Sequence, residues 1–184
     1  MLDKVIPYVD KAFEFNPEQI RHFERTLHWV RELSTSASQR LEIAAYAHDI
    51  QRSQLNSVIQ NMPAQSYFGF LEPAFLRYHQ EEGALMMEKF LKKEGYDPEK
   101  IFEVRGLIRF HEYGGTPDGN LLMDADSISF FETQISNFTE KVTYVGVRKV
   151  REKLEWMFRR ISLPERQKIA EENYRSALEH IKSR

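Results

Sequence analysis

"AAYAHDIQRS", residues 44–53, is the stretch on which the fold reading turns. Small apolar residues run as a helix straight into an adjacent imidazole and carboxylate, His48 and Asp49, with Arg52 close behind. Burying such groups is costly unless something pairs with them, and a metal ion is one partner that can. The rest of the chain decides whether that partner is to be expected.

Outward from this stretch the punctuation is helical. Asn16 and Pro17 open a helix as cap and first-turn residue, with Gln19 three positions after the cap, and the spacing carries it to about Ser34. A second helix starts within 34–43, carries Leu41, Ala44, Ala45 and His48 on one side, and ends near Ile50. Residues 51–71 lack clean periodicity and read as a long excursion, a form that serves as a lid in many compact domains. Within it, Tyr67, Phe68 and Phe70 are candidates for stacking on a base.

From Pro73 to Gly95 an apolar stripe of Leu76, Gly83, Met87 and Phe90 includes His79. Asp97 and Pro98 open the next helix, whose Ile101, Val104 and Ile108 lead at helical spacing to His111, with Gly114 and Gly115 as the stop. Helices over 120–138, 146–161 and 164–182 complete the chain, the last opened by a capping box from Ser162 to Glu165. The two C-terminal helices show apolar stripes and little chemistry. This predicts an all-α fold of about seven or eight helices. It forms one domain over 1–184, with the motifs in 17–138 and a helical pair at 146–182.

Composition narrows the chemistry. At 184 residues, 41% of them hydrophobic with thirteen Phe and eight Tyr, the chain has the material for one packed interior. A formal charge of −2 gives no general attraction to nucleic acid or acidic membranes. The absence of cysteine excludes disulfides, thiolate nucleophiles, iron–sulfur clusters and Cys-type zinc sites, so any metal sits on nitrogen and oxygen. No apolar run approaches bilayer length, and the start "MLDKVIPYVDKAF" has no long apolar core, so a cytoplasmic location is expected.

At about 100° per residue, the first motif helix gathers Phe23, Thr26, Leu27, Val30 and Leu33 on one side. His22 lies at the edge of that apolar face, and His28 in the middle of the charged one. Of the six histidines, His22, His48, His79 and His111 each take the inner side of a different helix, whereas His28 and His180 do not. Joined by inward Asp49 and Asp126, these four point to a metal site, because a core seldom gathers so many titratable groups without a use.

The ordered carriers "RHFERTLHWV", "AAYAHDIQRS", "YHQEEGALMMEKFL", "GLIRFHEYGG" and "LLMDADSISFF" resemble the HD superfamily, whose members build an all-helical domain around a metal site. The resemblance implies that His22, His48, Asp49 and Asp126 hold one ion, that His79 and His111 help hold a second, and that Asp49 bridges the two. Asp126 is the ligand by position in the motif, and Asp124 is left as its supporting partner or a cap. Two residues depart from the pattern. Gln51 stands where many members have Gly, and Ser127 where many have a basic residue.

The ligand types suit one or two divalent ions from among Mn, Fe, Co, Ni and Zn. The leading expectation is metal-dependent hydrolysis of a small phosphomonoester or phosphodiester, nucleotide-like or otherwise, through metal-activated water, with Asp49 and Arg52 in the catalytic machinery. Arg25 and Arg109 are weaker candidates for a phosphate contact, and Glu81 and Glu82 for proton carriers. The tetrad Gly114, Gly115, Thr116 and Pro117 reads as a helix stop and turn that could also shape a pocket mouth. Two alternatives stay open: a mixed-valent diiron oxygenase of HD-like type, and a ligand-binding HD module that has lost turnover. The expected partner is a small phosphoester, with no extended nucleic acid and no membrane; oligomeric state is left open.

Overall fold

In a computed structural model, residues 1–54 and 71–182 are described. They form only helices and turns, with no strand among them. Helix α1 covers Leu2–Ala12, α2 Pro17–Leu33 and α3 Gln39–Ala47, followed by a 3₁₀ turn at Ile50–Gln54. Helices α4 (Pro73–Lys93), α5 (Pro98–Arg109) and α6 (Pro117–Thr133) follow. Two short helices, α7 (Ile135–Glu140) and α8 (Val142–Val145), lead to α9 (Val147–Arg159) and α10 (Pro164–Lys182). Of the excursion expected over 51–71, residues 51–54 belong to the 3₁₀ turn, and 55–70, with the aromatics Tyr67, Phe68 and Phe70, lie outside the described residues.

Capping explains most helix starts. The side chains of Asn16, Ser38, Asp97 and Thr116 each accept a backbone N–H of the first turn, of Gln19, Leu41, Glu99 and Gly119 respectively. Several expected boundaries shift. The N-terminal segment forms α1 despite the interior Pro7, because Val5 and Val9 bury one face completely. Helix α5 stops at Arg109, so His111 lies past its end rather than within it. Helix α6 begins at Pro117 rather than 120 and breaks at Gln134. Ser162 does not cap α10: its N–H and hydroxyl both go to Asp124, at 2.6 and 2.7 Å.

Helix α6 sets the architecture. Every residue from Leu121 to Phe131 is buried, so the helix has no polar face and runs through the interior. Its first half packs into a core with α1 to α5, and its second half, with Ile128, Phe130 and Phe131, into a core with α7, α9 and α10. Trp29 and Leu33 of α2 touch both. A helix buried all round from Leu121 to Phe131 that carries Asp124, Asp126, Ser127 and Ser129 must give each a partner. Those partners define the site. No helix among the described residues is long and apolar enough to cross a membrane.

Candidate metal centre

His22, His48, His79 and His111 are all buried, at 1% exposure or less, and their rings gather with Asp49 and Asp126 in two groups, which a third, His111, Glu112 and Asp126, connects. In the first, His22 Nε2, His48 Nε2 and Asp126 Oδ1 form a triangle with edges of 3.2, 3.1 and 3.5 Å. In the second, Asp49 Oδ1 lies 2.7 Å from His79 Nε2 and 3.7 Å from His111 Nε2. Ligand atoms about 2.1 Å from a single ion stand about 3.0–3.4 Å apart in octahedral or tetrahedral geometry. The first triangle has that size.

The outer nitrogens explain why the inner ones converge. His48 and His111 each sit just beyond a helix end and donate Nδ1–H to the carbonyl three residues back, Ala45 at 3.0 Å and Ile108 at 2.7 Å. Carbonyls at helix ends lack intrahelical partners, and the imidazoles supply them. His22 lies inside α2 and needs a partner from elsewhere. Ser129 Oγ gives its proton to the His22 carbonyl at 2.8 Å and so receives His22 Nδ1–H at 2.9 Å. His79, inside α4, donates Nδ1–H to Gln51 Oε1 at 3.2 Å. Each ring is thereby fixed with its Nε2 lone pair turned inward, the arrangement that prepares a histidine for metal.

The inner atoms carry a matching deficit. Among the described residues His79 Nε2 has no hydrogen-bond partner in the Nδ1–H form, although it is buried and Asp49 Oδ1 is 2.7 Å away. Two lone-pair-bearing atoms that close are reconciled by a cation between or beside them. In the first triad, burial works against charge on His48, yet the Asp126 and Asp49 carboxylates hold its pKa up at about 9. A proton there does what a metal would do. Burial pushes His111 the other way, down to about 4, which keeps it neutral for ligation.

Each carboxylate divides its oxygens between histidines and an arginine. Asp49 gives Oδ1 to His79 and Oδ2 to Arg52 Nε at 2.5 Å, and Asp126 gives Oδ1 to His22 and His48 and Oδ2 to Arg160. Burial alone would raise both carboxyls. Arg52 beside one, Arg160 beside the other and the histidines hold both well below the usual carboxylate range. The resemblance puts Asp49 with both ions; here it groups with His79 and His111 only, its second oxygen being engaged by Arg52.

The remaining candidates separate clearly. Asp124 accepts from the Ser162 N–H and hydroxyl and from Arg166, so it anchors the start of α10 rather than joining the histidines. Arg25 pairs with Glu132, Arg109 with Glu81, and Arg105 with both Glu81 and Glu88, so neither Arg25 nor Arg109 lines the cavity beside the triads. His28 is half-buried and His180 exposed, and neither joins a metal-capable group. In the glycine tetrad, Gly114 (φ 67°) leaves so little room that an added Cβ would lie 2.3 Å from Asn120 Oδ1. The tetrad is a turn built on Asn120, outside the histidine cavity.

Both departures from the HD pattern have structural partners. Gln51 is fully buried and orients His79. Ser127 accepts from Arg160 Nε at 2.7 Å, so the guanidinium missing from the motif arrives from the end of α9. Arg160 also pairs with Glu112, a buried carboxylate that burial would raise but Arg160 and Lys153 hold down at about 2. The C-terminal helices were expected to bring little chemistry. They bring Arg160 and Lys153, both lining a cavity with His22, Asp49, Arg52 and Asp126. Lys153 and Arg160 fall at core positions of the stripe Val150, Leu154, Met157 and Ile161, and that spacing was the available signal. Glu112, beside His111, gave none.

The sequence family described as DUF4202, a domain of unknown function, matches residues 6–181. The chain belongs to that family. No curated protein and no solved structure matches it. The family's match therefore covers both triads and the two C-terminal helices that bring Arg160 and Lys153 to them.

Proposed function

We propose that this DUF4202 chain is a metal-dependent phosphohydrolase of HD type, acting on a small phosphoester. One observation carries the reading: four buried imidazoles, each anchored through Nδ1, turn Nε2 toward two carboxylates whose other oxygens are held by arginines. A structural core has no use for such preorganisation; an ion-binding site does. One or two divalent ions held by His22, His48 and Asp126 and by Asp49, His79 and His111 would activate water and offset phosphoryl charge.

The protein's own groups then have defined tasks. Arg52 keeps Asp49 ionised and stands with it at the cavity wall, where it can meet a phosphoryl oxygen. Arg160 keeps Asp126 ionised from the opposite side. The ring anchors exclude alternative tautomers, so no reorganisation is needed as a ligand enters. Arg52, Arg160, Asp49, Asp126 and His22 line one partly enclosed cavity.

The test is phosphate release from a panel of phosphomonoesters and phosphodiesters by metal-loaded protein under anaerobic conditions. Turnover is expected, and is expected to vanish in His48→Ala and Asp49→Ala proteins that remain folded. Oxygen consumption with two bound irons and no phosphate release would transfer the site to the diiron oxygenase class. Tight ligand binding without product would make it a binding module.

A further inference from the structure

Lys153 is left unexplained by metal binding. It is 7% exposed, lines the cavity beside the triads, and has no hydrogen bond or ion pair among the described residues. Its ammonium rests over the face of Trp156, 4.2 Å from the ring centroid. The guanidinium of Arg160 lies over the same ring at 4.6 Å. Two buried cations are thus held against one indole although they repel each other, and Arg52 repels Lys153 from across the cavity.

Arg52 and Arg160 already have carboxylate partners in Asp49, Asp126 and Glu112. Among the described residues Lys153 has none at contact distance. Buried charges are costly unless paired. Among the described residues the cavity lining holds four cations (Arg52, Lys141, Lys153, Arg160) against three carboxylates (Asp49, Glu112, Asp126). A divalent ion in either triad makes that balance more positive still.

We propose that Lys153 is the binding residue for the anionic end of the ligand, a phosphate-type oxyanion seated between Lys153 and the metal triads. The inference rests on the metal-dependent reading above and deepens it. It assigns the ligand a tetrahedral oxyanion with non-bridging oxygens free for an ammonium, and it places one wall of the binding site on α9, far in sequence from the histidine motifs.

Isothermal titration of inorganic phosphate into metal-loaded protein tests it, with metal content measured on each sample. Lys153→Met is expected to weaken phosphate binding about tenfold or more while leaving metal content unchanged, and Lys153→Arg to keep most of the affinity. A second readout is acylation of Lys153 by a soluble anhydride, followed by mass spectrometry, which phosphate should suppress. Unchanged phosphate affinity in Lys153→Met with full metal content would overturn the Lys153 assignment and leave the metal site standing. Absence of metal in the wild type would instead overturn the metal reading; the same titration on that protein then decides Lys153, with binding lost in Lys153→Met in its favour and no phosphate binding by wild type against it.

Discussion

The two triads use the same parts and are supported differently. His22, His48 and Asp126 come from α2, the end of α3 and the buried middle of α6, and Asp126 is held by Arg160, whose side chain is 6% exposed. Asp49, His79 and His111 come from turns and from α4, and Asp49 is held by Arg52, whose side chain is 30% exposed. The first is a site locked into the core. The second takes two of its three residues, Asp49 and His111, from turns past helix ends, and its arginine is partly open to solvent, so it adjusts more easily to a ligand. That difference predicts that the first triad matters more for stability and the second tolerates change better.

The largest effect should come from removing the buried guanidinium. Arg160→Met leaves Asp126 and Glu112 as uncompensated buried carboxylates, a loss of about 3–5 kcal/mol. Thermal unfolding should then fall by about 10 °C. Arg52→Met also leaves a buried carboxylate, Asp49, short of a partner, but it removes a partly exposed guanidinium from one carboxylate rather than a buried one from two, and should cost less, about 1–3 kcal/mol. Equal losses in the two variants would erase the distinction between the triads.

Next in size is metal retention. His22→Ala and His79→Ala should each lower the bound metal while sparing the other triad, and elemental analysis of the two proteins reads this directly. Ring anchors come third. Ser129→Ala and Gln51→Ala free the Nδ1 of His22 and His79, and each should weaken metal binding about 10–100-fold, measured by competition with a chelator.

The smallest effect concerns pH. Burial pushes the Lys153 ammonium down to about 8, with Glu112 and Asp126 opposing and Arg160 and Arg52 adding to the shift. The ammonium is therefore lost as pH rises through 8, and phosphate affinity should fall between pH 7.5 and about 9.5. Lys153→Arg, charged throughout this range, should flatten that fall. A profile identical in both proteins would assign the pH dependence to another group.

Much of this was legible in the residue pattern, for identifiable reasons. The all-α class follows from capping residues and from stripes at helical spacing, and the four inward histidines follow from the same periodicity. His48 and His111 are anchored by carbonyls three residues away, so local sequence contains their whole geometry. His22 and His79 depend on Ser129 and Gln51, 107 and 28 residues distant, and only the folded chain shows them. The partners of Arg160, Glu112 and Asp126, lie 48 and 34 residues away, so only the folded chain shows its role, although a charged residue just past α9 at the spacing of its apolar stripe marks the place. Helix α1 was missed because Pro7 masks a helix whose apolar face, not its propensity, holds it in place.

The most direct test of the central claim is the metal content per chain of protein purified without oxygen, measured by elemental analysis on wild type, His48→Ala and His79→Ala. The account predicts one or two ions in the wild type and a lower metal content in each variant. No bound metal in the wild type, even after divalent ions are supplied, would contradict it.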